Sequence, residues 1–179
     1  MLDLMRHGAT GRPSYRGRLD DPLSELGWTQ SCAATADGIW DEVVSSTLQR
    51  CSAFAEHFAA ARSLPLRLDE RLVEYDFGRW QGRRIEDIER EEPAAIARYR
   101  ADPENHPPPG GEDFAAFGNR VGAALDAARG DGKRRVLVLT HGAVIRWVQC
   151  RLAGLPFGAM AETAIANASV HRVAWRRLG

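Results

Sequence analysis

A three-layer α/β sandwich, with a mostly parallel central sheet flanked by helices, is the fold class this chain predicts. Short apolar runs alternate with amphipathic stretches along the sequence. The uninterrupted apolar run Val136 to Leu139 has the composition of a parallel strand covered on both faces. The length of 179 residues, with 44% hydrophobic and 27% charged, fits a single domain over 1–179 with a small helical and loop insert at about 80–112.

Met1 to Met5 is mostly apolar and stops at Arg6-His7-Gly8, the pattern of a short buried strand running into a loop. Gly11 to Asp21 is polar, aperiodic and broken by glycine, and reads as a loop. Ser24 then stands where a helix N-cap belongs, with Trp28, Cys32, Ala36 and Ile39 following at helical spacing. Glu42 to Ser46 is a second strand. Thr47 is the expected cap of the next helix, whose Cys51, Phe54, Ala55 and Phe58 share one face.

Leu64 to Leu68 makes a third strand, and Gly78 and Gly82 punctuate the aromatic-rich segment after it. Helical signals return at Ile85, and Pro93 can open a short helix through Tyr99. The stretch DPENHPPPGGED holds too much proline and glycine for regular structure. Phe114, Phe117, Val121, Ala124, Leu125 and Ala128 mark a long amphipathic helix. It feeds the strand that ends in Thr140-His141-Gly142; Ala143 to Leu152 is again helical, and Ser169 to Trp175 is a last strand at the sheet edge.

Lys plus Arg equals Asp plus Glu at 24 each, so nothing in the balance points to nucleic acid or a membrane surface, and any anion site must be local. Lys133 is the single lysine. Cys32, Cys51 and Cys150 lie far apart without a C-x-x-C pair, which argues against a disulfide framework or a cysteine metal site and for a reducing cytoplasm. No run of ~18 apolar residues occurs, and Asp3 and Arg6 follow the first methionine too closely for a signal peptide. A phosphate-binding loop at Gly132-Lys133 is broken by Ala127 and Arg134. Neither H-E-x-x-H nor G-x-S-x-G is present, and no metal or cofactor is expected.

Ligands of such sheets bind beyond the strand C-termini, which puts Arg6-His7-Gly8, Arg50 and His141-Gly142 on one rim. Both histidines precede a glycine, and Gly142 opens a helix whose free N–H groups attract anions. With Thr47 as cap, Arg50 falls at the third helical position, where a cation is unfavourable unless a bound anion faces it. His57, His106 and His171 lack this context and take surface or packing roles, as Tyr75, Phe77 and Trp80 take core positions.

These blocks together resemble the histidine phosphatase (phosphoglycerate mutase-like) superfamily. The resemblance runs through Leu4-Met5-Arg6-His7-Gly8, PLSELGWTQ at 22–30, SSTLQR at 45–50, EYDFGRWQG at 74–82, PPGGED at 108–113 and LTHG at 139–142. It implies that His7 takes up the phosphoryl group as a neutral imidazole, giving a phosphohistidine without any metal. It also implies that Arg6 and Arg50 grip phosphate oxygens, that His141 assists as a protonated second histidine, and that Gly142 helps to bind phosphate. Glu74 becomes the group that protonates the leaving alkoxide and then activates water, with Asp76 as the fallback acid.

Within the superfamily the chain looks most like the α-ribazole phosphatase branch of cobalamin biosynthesis, acting on a small-molecule phosphomonoester. Ala9 departs from the Glu or Gln common after R-H-G, and Asp113 stands where Ser is frequent after G-G-E. A broad-specificity phosphatase, a mutase-like phosphotransferase, and a catalytically weak binding module of the same fold are the alternatives.

Overall fold

The computed structural model describes residues 1–11, 14–160 and 164–176, so Arg12 and Pro13 of the expected loop lie outside it. Five strands form one sheet among these residues: β1 (Leu2–Arg6), β2 (Glu42–Ser45), β3 (Leu66–Leu68), β4 (Val136–Thr140) and β5 (Val170–Val173), in the order β3-β2-β4-β1-β5. Four of them run parallel, and β5 pairs antiparallel with β1 at the edge. The register sets Arg6 opposite Thr140 and Ser45 opposite Leu139. The chain therefore leaves β1, β2 and β4 at the same rim.

Among the described residues six α-helices flank the sheet: α1 (Glu25–Thr35), α2 (Gln49–Arg62), α3 (Ile85–Glu91), α4 (Pro93–Ala101), α5 (Phe114–Arg129) and α6 (Gly142–Ala153). Strand side chains alternate between faces, and two cores result. Leu2, Leu4, Val136 and Val138 pack with α5, α6 and the 72–99 aromatics, whereas Met5, Val43, Leu137 and Leu139 pack with α2. Tyr75, Phe77 and Trp80 are buried as expected, and so are Cys51, Phe54, Ala55 and Phe58 on α2. None of the described helices is long and apolar enough to cross a membrane.

Two expectations are corrected. The fully buried residues of α1 are Gly27, Ser31 and Thr35; Trp28 packs partly buried against the core as expected, whereas Cys32 is exposed and Ala36 and Ile39 lie exposed beyond the last helical residue. The reason is close backbone approach: a Cβ on Gly27 would collide with the Ala9 carbonyl, and one on Gly8 with the Gly27 carbonyl. The helix therefore meets the loop after β1 at Gly27, where no side chain fits. Second, Thr47 does not cap α2. Leu48 holds the cap position without a side-chain bond, and the cap comes from Asp20, whose Oδ1 accepts from the Gln49 N–H at 2.7 Å. A carboxylate at a helix N-terminus satisfies an otherwise free donor and complements the dipole, whichever part of the chain supplies it. Arg50 is thereby the second helical residue, not the third.

Candidate active site

The loop after β1 carries His7 at the end of the sheet, where its N–H bonds to Thr140 O at 3.0 Å and extends the ladder by one residue. Its Nδ1 lies 2.7 Å from the Gly8 carbonyl oxygen, an acceptor, so Nδ1 carries the proton and Nε2 keeps the lone pair. Burial, then the charge of Arg50 and to a lesser degree that of Arg6, push the His7 pKa down to about 3, against an upward pull of that bond that is weaker than burial and Arg50. The ring is neutral at physiological pH and has one nucleophilic nitrogen.

A cleft of about 560 Å³ opens at this rim, lined by Arg6, His7, Arg50, Glu74 and Gly142 among others. Arg6 donates from Nη1 to Ile165 O, while its Nε is buried with no hydrogen bond among the described residues. A buried donor without a partner calls for an explanation, and an incoming anion would satisfy it. Arg50, 1% exposed, donates from Nη1 to Leu19 O and from Nη2 to Gly17 O, each at 2.6 Å, and from Nε to His141 Nδ1 at 3.2 Å. Glu74 reaches the same space from the irregular segment after β3, its carboxylate accepting from Ala143 N at 3.1 Å and from Tyr75 N at 3.1 Å. The anion seat that the start of α6 offers is thus filled by a protein carboxylate.

His141 stands beside His7, ring centroids 5.3 Å apart, but is fully buried and does not line the cleft. Because Arg50 donates to its Nδ1, the proton sits on Nε2 and is given to Ser46 Oγ at 2.8 Å. Burial, then Arg50, His7, Arg120 and Arg6, hold its pKa well below that of a free histidine. The resemblance implies a protonated second histidine, and burial with the neighbouring cations disfavours that charged form. Beside it, burial pushes the Cys51 thiol up to about 12, so it stays protonated.

A stability effect follows from the two depressed histidines. Below about pH 6.5 the unfolded chain takes up protons at His7 and His141 that the folded chain refuses, so acidification favours unfolding. Stability present above pH 6.5 is expected to fall by about 1.4 kcal/mol per pH unit for each histidine as pH drops toward 5. Urea midpoints at pH 7 and pH 5 measure it. A midpoint that is unchanged or higher at pH 5 would contradict the assignment.

Asp76, the fallback acid, lies outside the cleft lining and faces the Gly78 N–H at 2.8 Å and Arg18. Tyr15, Arg16, Arg146 and Asn167 line the cleft and were not among the expected site residues. Arg146 had a usable signal, since it follows Gly142 by one helical turn and shares its face. Tyr15 and Arg16 had none, because the aperiodic loop that holds them gives no direction to a side chain. Tyr15 stacks on Phe77 with ring centroids 4.5 Å apart, and Arg16 binds both Asp21 oxygens at 2.6 and 2.8 Å.

Phosphoryl transfer to a side chain needs a neutral nucleophile beside fixed cations, together with a proton source for the departing oxygen. The rim brings a histidine, two arginines and a glutamate to one cleft, and residues 2–179 match the family described as the histidine phosphatase superfamily (branch 1), to which the chain belongs. The protein is a phosphoric monoester hydrolase of that family. It is similar to phosphoserine phosphatase 1 of Hydrogenobacter thermophilus, 30% identical over 177 residues that cover 94% of this chain and 83% of the relative. Glucosyl-3-phosphoglycerate phosphatase of Mycobacterium tuberculosis is 33% identical over 171 residues, covering 87% of this chain and 76% of the relative. Among solved structures, the α-ribazole phosphatase of Shigella flexneri superposes with a TM-score of 0.79 at 27% identity, over 94% of this chain and 87% of that one.

Proposed function

We propose that the protein hydrolyses a small-molecule phosphomonoester through a phosphohistidine on His7, without a metal ion. The observation that carries this reading is His7 itself, a neutral ring with Nδ1 tied to Gly8 O and Arg6 and Arg50 beside it. In the first step His7 Nε2 attacks phosphorus as the ester P–O bond breaks, and the Glu74 carboxylic acid gives its proton to the leaving oxygen. Water then attacks the phosphohistidine, losing a proton to the Glu74 carboxylate. Inorganic phosphate departs and neutral His7 returns. Arg6 and Arg50 stabilise the transferring oxygens, and His141 orients the Arg50 fork through Nδ1.

For the substrate, α-ribazole 5'-phosphate or the adenosylcobalamin 5'-phosphate counterpart is the reading we favour. The stacked pair Tyr15 and Phe77, with Ile85, gives the cleft an apolar aromatic wall suited to a flat base. The likeness to the Shigella enzyme supports the same choice. A second reading, a phosphate ester bearing a carboxylate, is favoured by Arg16 and Arg146 in the cleft lining. The free cysteines fit a reducing compartment such as the cytoplasm.

The test is hydrolysis of α-ribazole 5'-phosphate, phosphoserine and 3-phosphoglycerate, each with EDTA present. The expected outcome is EDTA-resistant phosphate release with kcat/KM highest on α-ribazole 5'-phosphate. Preference for either carboxylate ester supports the second reading. Transfer of phosphate to a second hydroxyl in place of water would mark a phosphotransferase, and no turnover on any ester would mark a binding module.

A further inference from the structure

Glu74 lies on a segment with no ladder of its own. Residues 73–77 fall between the 3-10 turns Glu70–Leu72 and Gly78–Trp80, in neither strand nor helix. Backbone carbonyls in such a segment need partners from elsewhere. One side chain supplies two of them, and a third just before the segment. Arg120, on α5, donates from Nη1 to Arg71 O at 2.7 Å and Val73 O at 2.8 Å, and from Nη2 to Glu74 O at 3.1 Å. Its other two N–H groups go to Glu112, Nε to Oε1 at 2.6 Å and Nη2 to Oε2 at 2.8 Å. All five donors of the guanidinium are engaged, and its flat face lies over the Phe117 ring at 5.0 Å. The carbonyl left between, Leu72 O, accepts from Thr140 Oγ1 at 3.0 Å.

Glu112 extends the clamp to the far side of Glu74. Its backbone N–H donates to Asp76 O at 3.0 Å and its carbonyl accepts from the Tyr75 hydroxyl at 2.6 Å. Neither Arg120 nor Glu112 lines the cleft. Both hold the backbone that carries Glu74, Glu112 also meeting Arg18 Nη2 at 3.2 Å, while Ala143 N and Tyr75 N hold its carboxylate.

We infer that Arg120, braced by Glu112, is a positioning residue for Glu74, fixing the proton-transfer group against the leaving oxygen through the Arg71, Val73 and Glu74 carbonyls. The inference rests on the reading of Glu74 as the proton donor. A carboxylate moved by a fraction of an ångström no longer reaches the departing oxygen, and this matters only when that oxygen needs a proton. An alkoxide does, whereas p-nitrophenolate leaves without one.

The experiment compares kcat/KM on an alkyl phosphate and on p-nitrophenyl phosphate for wild type, Glu74→Gln, Arg120→Gln and Glu112→Gln. Both positioning variants are expected to lose about tenfold or more on the alkyl ester and less than about threefold on the aryl ester, a smaller copy of the Glu74→Gln profile. If Arg120→Gln does not fold, Glu112→Gln, which keeps the guanidinium and its carbonyl bonds but removes the bracing charge, carries the test. Equal losses on both esters, or none, in the positioning variants while Glu74→Gln is selective would overturn the inference and leave Glu74 in its role. A Glu74→Gln profile without selectivity would overturn the reading of Glu74, and the inference with it.

Discussion

His7→Ala is expected to abolish turnover, with a loss on the order of 10⁴-fold or more, and to remove the covalent intermediate entirely. Rapid alkaline quenching of wild type with substrate should show a fraction of chains carrying one added phosphoryl group by intact mass, and the variant should show none. The expected size follows from the absence of a substitute at the rim among the described residues. His141 has both ring nitrogens engaged, with Arg50 and with Ser46, and sits behind His7 outside the cleft. Cys51 is fully buried and its thiol is pushed up to about 12, too high for a thiolate at neutral pH. A phosphorylated His7→Ala chain, or turnover within tenfold of wild type, would show that another group is the nucleophile.

Arg50→Ala should be nearly as damaging and in two separable ways. The guanidinium bonds the Gly17 and Leu19 carbonyls and His141 Nδ1 from a fully enclosed position, so truncation leaves three acceptors unmet and a void. A loss of about 3 kcal/mol or more in stability is expected from urea unfolding. kcat/KM should fall by about 10²- to 10³-fold through loss of a fixed cation at the transferring oxygens. Because Arg50 depresses the pKa of His141, removing it should also move that histidine upward, toward its ordinary value. Protection by inorganic phosphate separates the two effects. Wild type should gain thermal stability on adding phosphate and the variant should not, whereas a variant that keeps the gain would place the phosphate grip elsewhere.

Much of this architecture was legible in the sequence because it is written locally. The apolar run of β4 and the spacing of Cys51, Phe54, Ala55 and Phe58 on α2 need no knowledge of the rest of the chain. The motifs carrying Arg6, His7, Arg50 and Glu74 lead to residues that share one cleft, since parallel strands leave the sheet at the same rim. What could not be read depends on partners distant in sequence. Periodicity carries the buried face of α1 from Trp28 on to Cys32, yet Cys32 is exposed and the close contact between Gly27 and the loop after β1 buries the glycine instead. Thr47 is a good cap by type, but Asp20 arrives first at the start of α2. The protonation of His141 depends on burial and on Arg50, and Arg120 reads as one more helical arginine until its carbonyl partners are seen.

The cap that Asp20 gives to α2 has a consequence for how this chain tolerates change. Surface loops ordinarily absorb insertions and deletions because little depends on their length. Between residues 14 and 21 that freedom is lost. Asp20 starts α2, and two residues into that helix Arg50 reaches back to hold Gly17 and Leu19, while Gln81 receives the Arg18 N–H and Gly82 donates to Tyr15 O. The segment and the arginine template each other, so a residue added or removed there would alter the aim of a guanidinium at the rim of the cleft. The place to vary the protein without disturbing the proposed chemistry is elsewhere on its surface, and this loop is best treated as part of the framework of the candidate site.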